Sequence, residues 1–359
     1  MLTNKNQLYR MRLSTKLLVK GVIYMEKLRV GVIGCGRIAV RHFLSLKAIE
    51  EVELVACCDN KPERADEAAE EYGIKAYYSY EEMIENENLD AVHLCLPHYL
   101  HSKVAIYAFE HGIHVLTEKP MDVDYESAER AVNVAKEKGC TFGVIFQCRY
   151  TEPARLVRRV VESGKLGKIL SVRSVLTWNR SDDYYSSSDW KGTWDKEGGG
   201  VVIDQAIHSI DLANWIINSD IESVSCSMHN HGHKKVNVED TAEGLITYTN
   251  GTKYSFYCMN NYSADEPIEI KMVCENGKVT FGYHDALIIY NDGTTEEAHE
   301  EQVKKAEGGK DYWGSWHIRQ IRQYYNALLG REPLEVSAEE TLKIHKLIMQ
   351  LYEVGGMRK

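Results

Sequence analysis

An apolar strand followed at once by a glycine turn and a helix restricts the possible folds of this chain more than any other feature. Residues 28–33 form a β-branched, apolar run, typical of a strand buried on both faces of a parallel sheet. The run leads into Gly34-x-Gly36-x-x-Ala39 and then into a helical pattern. In such a turn the glycines let backbone N–H groups approach a pyrophosphate, and the small third residue lets the helix pack on the strand. The pattern predicts a dinucleotide-binding unit, although the motif alone also fits an ordinary glycine turn.

A second apolar run, residues 52–58, ends in an acidic residue that bears on the choice of dinucleotide. Asp59 follows the glycines by about twenty residues, where a carboxylate can hydrogen-bond the hydroxyls of an adenosine ribose. The same charge would repel a 2′-phosphate at short distance. We therefore expect NAD in preference to NADP.

Helical and apolar segments go on alternating after Asp59. The pattern predicts helix 62–72, strand 75–78, helix 80–86, strand 91–96, helix 102–111 and strand 113–116. Such alternation is typical of a doubly wound, parallel α/β sheet. Leu96 and Pro97 then stand at the carboxyl end of one strand, and the segment 117–120 at the end of the next. This is the edge at which open α/β sheets bind ligands.

The second half of the chain has a different pattern, with many short strands and few helices. Strands are predicted near 168–178, 221–229, 241–249, 252–261, 266–275, 278–282 and 286–291. The dipeptides Asn250-Gly251 and Asn276-Gly277 carry the signal of tight hairpins. We therefore expect a mostly antiparallel sheet, followed by helices near 316–329 and 338–353.

Charge and cysteine content exclude several classes of function. The 359 residues include 43 Lys and Arg against 53 Asp and Glu, so no basic footprint for nucleic acid is present. No apolar stretch is long enough for a membrane span. Nine cysteines without a C-x-x-C pair indicate reduced thiols in a cytoplasm.

The first 24 residues differ from the rest because they contain five basic residues and no acidic one. Lys20 interrupts the only apolar run, so a secretory signal is not favoured. We expect residues 1–24 to be a disordered basic extension, with the fold beginning at Met25.

The motif Glu118-Lys119-Pro120 is one of several that this chain shares with a known family. With the glycine loop, the Leu96-Pro97 pair and Gly198-Gly199-Gly200, it makes the chain resemble the Gfo/Idh/MocA family of nicotinamide-dependent oxidoreductases, which act mainly on sugars and inositols. The resemblance implies a Rossmann domain over 25–146. It also implies a substrate-binding and oligomerisation domain over 147–359, with a large, mostly antiparallel open sheet and C-terminal helices that pack back. The cofactor-binding residues that it implies are Gly34, Gly36, Arg37, Ile38, Asp59, Leu96, Pro97, His101, Glu118, Lys119 and Gln147.

Three side chains are the catalytic candidates. Asp204 and His208 are four residues apart, so on a helix over about 201–217 they share one face. A carboxylate beside an imidazole can orient the ring and raise its basicity. The resemblance implies His208 as general base and Lys119 as the donor that orients the hydroxyl, although these two roles could be exchanged. Without the resemblance, an ordinary surface Asp–His pair and a structural lysine would explain the same residues.

The substrate candidates are largely aromatic. Sugar ring carbons stack on aromatic side chains while the hydroxyls need polar partners. The residues expected to bind substrate, besides the catalytic candidates, are Arg149, Tyr185, Trp190, Trp194 and His317. Lys191 stands where many related sequences have arginine, and Asp211 could support the site or only the helix. The aromatic segments could equally be packed loops.

Alternating histidines at 229, 231 and 233 could share one face of a strand and bind zinc. The adjacent glycine and lysines instead favour a hairpin tip, and hydride transfer to a nicotinamide needs no metal. We therefore expect no metal.

Taken with the resemblance, these residues predict an NAD-dependent oxidoreductase acting on a ring secondary hydroxyl of a sugar or glycoside, with C3 expected. A UDP-sugar 3-dehydrogenase and an inositol 2-dehydrogenase are the alternatives within this class. A non-catalytic NAD(H)-binding sensor is the alternative from another class. An enzyme that recycles a retained NAD(H) in place is a further possibility. The family implies a homodimer or homotetramer.

Overall fold

A computed structural model describes residues 17–19, 22–24, 26–300 and 316–357. Two short strands, β1 (Leu17–Val19) and β2 (Val22–Tyr24), pair antiparallel. The other residues of the predicted N-terminal extension lie outside the described part of the chain. The rest of the chain divides into two compact units. Unit 1 takes in the described residues up to Asp122, with Glu126–Ile145 and His317–Leu342, and unit 2 takes in the remainder.

Unit 1 contains a six-stranded, wholly parallel sheet. Its strands are β3 (Leu28–Ile33), β4 (Val52–Cys58), β5 (Lys75–Tyr77), β6 (Ala91–Leu94), β7 (His114–Thr117) and β8 (Phe142–Val144). Their order across the sheet is β5-β4-β3-β6-β7-β8, so the chain winds outward in both directions from β3. This is the doubly wound topology that the alternating pattern predicts, and it is confirmed.

The helices between these strands carry small and apolar residues on their buried faces. They are α1 (Ala39–Lys47), α2 (Pro62–Tyr72), α3 (Tyr80–Asn86), α4 (His101–Glu110) and α5 (Tyr125–Lys138). The Ser79 hydroxyl caps α3 by accepting the N–H of Glu82 at 3.3 Å, which satisfies one of the unpaired donors of the first turn. The predicted bounds of α2 and α3 are confirmed.

Unit 2 contains an eight-stranded sheet in which only one neighbouring pair is parallel. Its strands are β9 (Ile169–Thr177), β10 (Ile221–His229), β11 (Thr241–Tyr248), β12 (Lys253–Met259), β13 (Glu269–Cys274), β14 (Gly277–Phe281), β15 (Asp285–Tyr290) and β16 (Thr295–His299). Their order is β10-β11-β12-β9-β13-β14-β15-β16, and β9 runs parallel to β12. The mostly antiparallel sheet is confirmed, as are both Asn-Gly hairpins.

Unit 2 also contains α6 (Glu152–Glu162), α7 (Asp182–Ser186) and α8 (Ile207–Ile217). A π-helical turn, Val202–Ala206, directly precedes α8. Helix α6 packs on β15 and β16, and α8 packs on β9. Because these helices cover one face of the sheet, its strands alternate between buried and exposed residues, as in β14.

Two long helices end the chain, α9 (Trp316–Leu328) and α10 (Ala338–Gly355). Helix α9 contributes Ile321, Tyr324, Tyr325 and Leu328 to the same apolar core as the buried side chains of β3 and α1. Removal of one such large side chain from a close-packed core costs about 2–5 kcal/mol, so α9 is a structural part of unit 1.

Within the described ranges, no helix combines the length and the apolar character that crossing a membrane requires.

Candidate active site

The glycine loop between β3 and α1 has room for a phosphate on one side only. Gly34 has φ +93°, and a Cβ there would collide with the carbonyl of Cys95. A Cβ at Gly36, in contrast, would meet no atom within 4 Å. The close approach to Cys95 explains why residue 34 is a glycine. The free space beside Gly36 lies at the start of a helix, where an anion is favoured. The loop therefore fits the pyrophosphate of a dinucleotide.

The Asp59 carboxylate is built into this loop. Its Oδ2 accepts the N–H of Cys35 at 2.8 Å and its Oδ1 accepts the N–H of Lys61 at 2.9 Å. Arg37 is exposed, and Ile38 stands half-buried at the beginning of α1. Asp59 thus fixes the loop and carries the negative charge that disfavours a 2′-phosphate.

The Glu118-Lys119-Pro120 segment follows β7 and is held by buried groups. Glu118 Oε1 lies 3.1 Å from His42 Nε2 and 3.4 Å from His317 Nε2, and Oε2 accepts the N–H of Lys119 at 3.3 Å. Burial alone would raise the pKa of Glu118, but its contacts with His317 and His42 outweigh this and hold the pKa well below its usual value. Glu118 therefore acts on the backbone of Lys119. His317, a predicted substrate ligand, is buried here.

His101 fixes the same segment from the other side. Its Nδ1 lies 2.6 Å from the carbonyl oxygen of Pro120, and its Nε2 lies 2.9 Å from that of Leu96. Pro97 precedes the short 3₁₀ turn His98–Leu100 that leads into α4. The His101 ring thus joins the backbone carbonyls of Leu96 and Pro120, which follow strands β6 and β7.

In unit 2 the Gly198-Gly199-Gly200 triplet passes through a crowded part of the core. A Cβ at Gly199 would collide with the hydroxyl of Tyr352, and one at Gly200 would collide with the carbonyl of Glu239. Gly198 and Gly199 have φ values of +86° and +154°. The triplet is therefore required by both close approach and backbone conformation.

Glu239 ties this glycine turn to the helix that follows. Its Oε2 accepts the N–H of Gly200 at 2.9 Å, and its Oε1 accepts the N–H of Val202 at 3.0 Å and the O–H of Tyr352 at 2.6 Å. Burial raises the pKa of Glu239 to about 7, although these donors oppose the rise. Glu239 was not predicted as a site residue, and no local pattern marks it.

Asp204 lies in the π-helical turn and His208 in the first turn of α8. The sequence predicts one continuous α-helix here, and this detail is wrong. A π turn inserts one extra residue into the helix and is frequent at functional sites. His208 is 9% exposed, and its ring stands edge-on to Phe146 at 6.0 Å.

One oxygen of Asp204 collects three donors. Oδ2 lies 2.9 Å from the hydroxyl of Tyr184, 3.0 Å from Lys191 Nζ and 2.6 Å from Gln205 Nε2. Lys191 Nζ also lies 2.6 Å from the Tyr184 hydroxyl and 3.5 Å from Glu197 Oε1. Tyr184 and Lys191 lie in the aromatic segment that the sequence predicts to bind sugar, whereas no sequence pattern marks Glu197.

This cluster shifts the titration of its members. Burial alone would lower the pKa of Lys191, but the charge of Asp204 and its other neighbours raises the pKa well above its usual value. Burial raises the pKa of Glu197 to about 8, against the pull of Lys191. The cluster therefore pairs a cationic lysine with the Asp204 carboxylate, while burial makes Glu197 easier to protonate than an exposed glutamate.

Arg149 and Asp211 form a buried ion pair with two hydrogen bonds. Nε donates to Oδ2 at 2.8 Å and Nη2 to Oδ1 at 2.5 Å, and the side chains are 3% and 1% exposed. This contact explains Asp211, whose role the sequence leaves open. The neighbouring Gln147 is also buried, and within the described residues its Oε1 has no hydrogen-bond partner.

The aromatic candidates have different surroundings. Tyr185 is 3% exposed, and its hydroxyl accepts a hydrogen bond from Asn260 at 2.8 Å. Trp190 is half-buried with Lys191 Nζ 4.6 Å from its ring centre. Trp194 donates from Nε1 to the carbonyl of Asn237 at 3.2 Å. Tyr185 is therefore part of the scaffold, whereas both indole rings keep some exposure.

The three alternating histidines do not converge. His233 is buried and lies 3.2 Å from Asn260 Oδ1, whereas the rings of His229 and His231 stack on each other at 5.1 Å. In residues 26–300 and 316–357, no group of three or more His, Cys, Asp or Glu side chains is arranged to hold a metal ion.

Family models match both halves of the chain. Residues 28–146 match the oxidoreductase family with an NAD-binding Rossmann fold, and residues 154–280 match the GFO/IDH/MocA C-terminal domain. The chain therefore belongs to the Gfo/Idh/MocA family, as the sequence motifs predict. It is an oxidoreductase of the class that acts on CH–OH groups and uses NAD.

Two enzymes of known activity and one solved structure are similar to this chain. A myo-inositol 2-dehydrogenase from Thermotoga maritima is 31% identical over 55% of this chain, which spans only 57% of that enzyme. A D-glucoside 3-dehydrogenase from Escherichia coli is 26% identical over 93% of this chain and 97% of that enzyme. The structure of the WlbA dehydrogenase from Bordetella pertussis in complex with NADH and UDP-GlcNAcA is similar with a TM-score of 0.83 and 27% identity, covering 93% of this chain and 97% of that chain.

Proposed function

We propose that this protein oxidises a secondary hydroxyl on the ring of an uncharged sugar, a glucoside at C3, and passes the hydride to NAD. The observation that carries the proposal is the short helical segment that presents Asp204 and His208, anchored by Glu239 at its start. The intact Glu118-Lys119 segment of unit 1 supports a catalytic role over a purely sensory one.

Each candidate residue has a distinct role in the proposed reaction. NAD, when bound, supplies the nicotinamide that accepts the hydride. His208 takes the proton of the hydroxyl as general base. Lys119 is the hydrogen-bond donor that orients the hydroxyl and stabilises the negative charge that develops in the reaction. Asp204, fixed by its three donors, orients His208 or a substrate hydroxyl.

The charges of unit 2 favour a neutral sugar over a nucleotide sugar. A diphosphate is bound by cationic donors, of which arginine is the strongest. Arg149 forms an ion pair with Asp211, and Lys191 forms one with Asp204. Arg180 lies 2.9 Å from the carboxylate of Asp265. Because each of these cations already has an acidic partner, they offer little net charge to a diphosphate.

Deuterium placed at single ring carbons tests the position of oxidation. A methyl glucoside deuterated at C3 is expected to give deuterated NADH and a slower hydride transfer, whereas deuterium at C2 or C4 gives neither. Transfer from another carbon would overturn the C3 assignment. Binding of NADH without transfer from any sugar, inositol or UDP-sugar would favour the sensor.

The open face of the unit 2 sheet supports the expected self-association. Leu170, Leu245 and Val273 are 49%, 41% and 51% exposed on β9, β11 and β13, which form part of one eight-stranded sheet. We expect a homodimer or homotetramer, so Leu245→Glu should lower the molar mass measured by light scattering.

All nine cysteines lie in the described ranges as thiols rather than disulfides, which supports a reducing, cytoplasmic setting.

A further inference from the structure

A line of buried polar side chains in unit 1 leads to the Glu118 carboxylate. The hydroxyl of Tyr325 lies 2.8 Å from His93 Nε2, and His93 Nδ1 lies 2.7 Å from His42 Nδ1. His42 Nε2 then lies 3.1 Å from Glu118 Oε1. Both imidazoles are fully buried, and Tyr325 and Glu118 are 1% and 7% exposed. The catalytic roles proposed above use none of Tyr325, His93 and His42.

All the hydrogen bonds of this line can form together with one assignment of the ring protons. An ionised carboxylate can only accept, so His42 Nε2 must carry the proton that is donated to Glu118. If His42 is neutral, its Nδ1 is then an acceptor, and His93 Nδ1 must donate to it. His93 Nε2 is left as the acceptor of the Tyr325 hydroxyl. Burial lowers the pKa of both histidines, which favours these neutral forms.

The line also ties separate elements to the backbone of Lys119. His42 lies on α1, directly after the glycine loop, His93 lies on β6, and Tyr325 lies on α9. Glu118 accepts from His42 with one oxygen and from the N–H of Lys119 with the other. The position of Lys119 is thereby linked to the helix that begins at the glycine loop.

We propose that His42 and His93 are positioning residues, which act through Glu118 to hold Lys119 in its catalytic position. This inference rests on the proposed role of Lys119. Displacement of a reacting group by about 1 Å can cost roughly 100-fold in rate. We therefore expect His42→Leu to lower kcat by about 10- to 100-fold.

A double-variant cycle separates this role from simple destabilisation. If His42 acts through Lys119, kcat of His42→Leu/Lys119→Ala should equal kcat of Lys119→Ala alone. His42→Gln keeps an N–H for Glu118 and should recover part of the rate. The matched control is His114→Leu, because His114 is also a buried histidine of unit 1, bonded to the N–H of Thr141. We expect the control to lower the melting temperature but to leave kcat unchanged.

The outcomes are distinguishable. A His42→Leu effect that persists in the Lys119→Ala background, or an equal loss of kcat in the His114→Leu control, would overturn the positioning role and leave the role of Lys119 intact. A wild-type kcat for Lys119→Ala would overturn the catalytic role of Lys119 and the positioning role together.

Nuclear magnetic resonance of the wild-type protein gives a readout that needs no activity. With ¹⁵N-labelled histidine, we expect neutral His42 protonated at Nε2 and neutral His93 protonated at Nδ1 at neutral pH. Two imidazolium rings, or the opposite pair of tautomers, would overturn the proposal. Because this measurement uses the unaltered chain, it remains decisive if a variant fails to fold.

Discussion

The Arg149–Asp211 ion pair allows a quantitative prediction of stability. Asp211→Asn removes the negative charge that pairs with the Arg149 guanidinium. The Arg149 side chain is 3% exposed, and its guanidinium lies 5.4 Å from the ring centre of Trp215. Breaking one partner of a buried pair leaves an uncompensated charge in a medium that cannot solvate it, and typically costs about 3–5 kcal/mol. We therefore expect Asp211→Asn to lower the free energy of unfolding by about this amount.

Urea unfolding followed by tryptophan fluorescence measures the effect in the relevant unit. The five tryptophans among the described residues all belong to unit 2, so their signal reports on this unit. With an m-value of about 3 kcal/mol/M, a loss of 3–5 kcal/mol moves the midpoint down by about 1 M or more. The large shift should appear without added ligand, since the pair is internal to unit 2.

The matched control is Glu269→Gln, which breaks two exposed ion pairs of the same unit. Glu269 Oε1 lies 3.4 Å from Arg173 and Oε2 lies 2.7 Å from Lys271 Nζ, and the side chains of Glu269, Arg173 and Lys271 are 40%, 57% and 37% exposed. Such surface pairs contribute about 0–1 kcal/mol. A loss below about 1 kcal/mol for Asp211→Asn, equal to that of this control, would refute the argument from burial.

The remaining predictions concern pH, catalysis and the glycine turn. Burial lowers the pKa of His114 from 6.5 to about 4, so the unfolded chain takes up a proton between these values that the folded protein does not. Its contribution to stability is complete above about pH 7 and falls by about 2 kcal/mol at pH 5, a loss that His114→Gln should abolish in urea unfolding at the two pH values. Lys119→Ala and His208→Ala should each lower kcat by about 10²–10⁴-fold in steady-state kinetics, and a near-normal rate would remove that residue from the mechanism. Tyr352→Phe leaves Glu239 without one donor and should cost about 1–3 kcal/mol in urea unfolding, whereas an unchanged midpoint would show that the hydroxyl is not needed.

The parts of this structure that sequence predicts well depend on neighbouring residues. The bounds of α2 were predictable because Pro62 fits the first turn of a helix and cannot extend one. The hairpins at Asn250 and Asn276 were predictable because such dipeptides favour the tight turn itself.

The parts that sequence did not predict depend on distant partners. The π turn at 202–206 is anchored by Glu239, which lies on a different segment of unit 2. His42 fits the apolar spacing of a helix face, and nothing local shows that its ring contacts Glu118, 76 positions away. The pairing of Arg149 with Asp211 likewise joins residues 62 positions apart, so the sequence gives no reason to separate this arginine from a substrate ligand.

The most direct test of the proposed function is a comparison of kcat/KM, measured as NADH formation, for neutral glycosides, inositols and UDP-sugars with the purified protein. We expect NADH formation with NAD and a glucoside, with a kcat/KM at least about tenfold higher than with any UDP-sugar, since Arg149, Lys191 and Arg180 each have an acidic partner. NADH formation with UDP-sugars alone would contradict the neutral substrate.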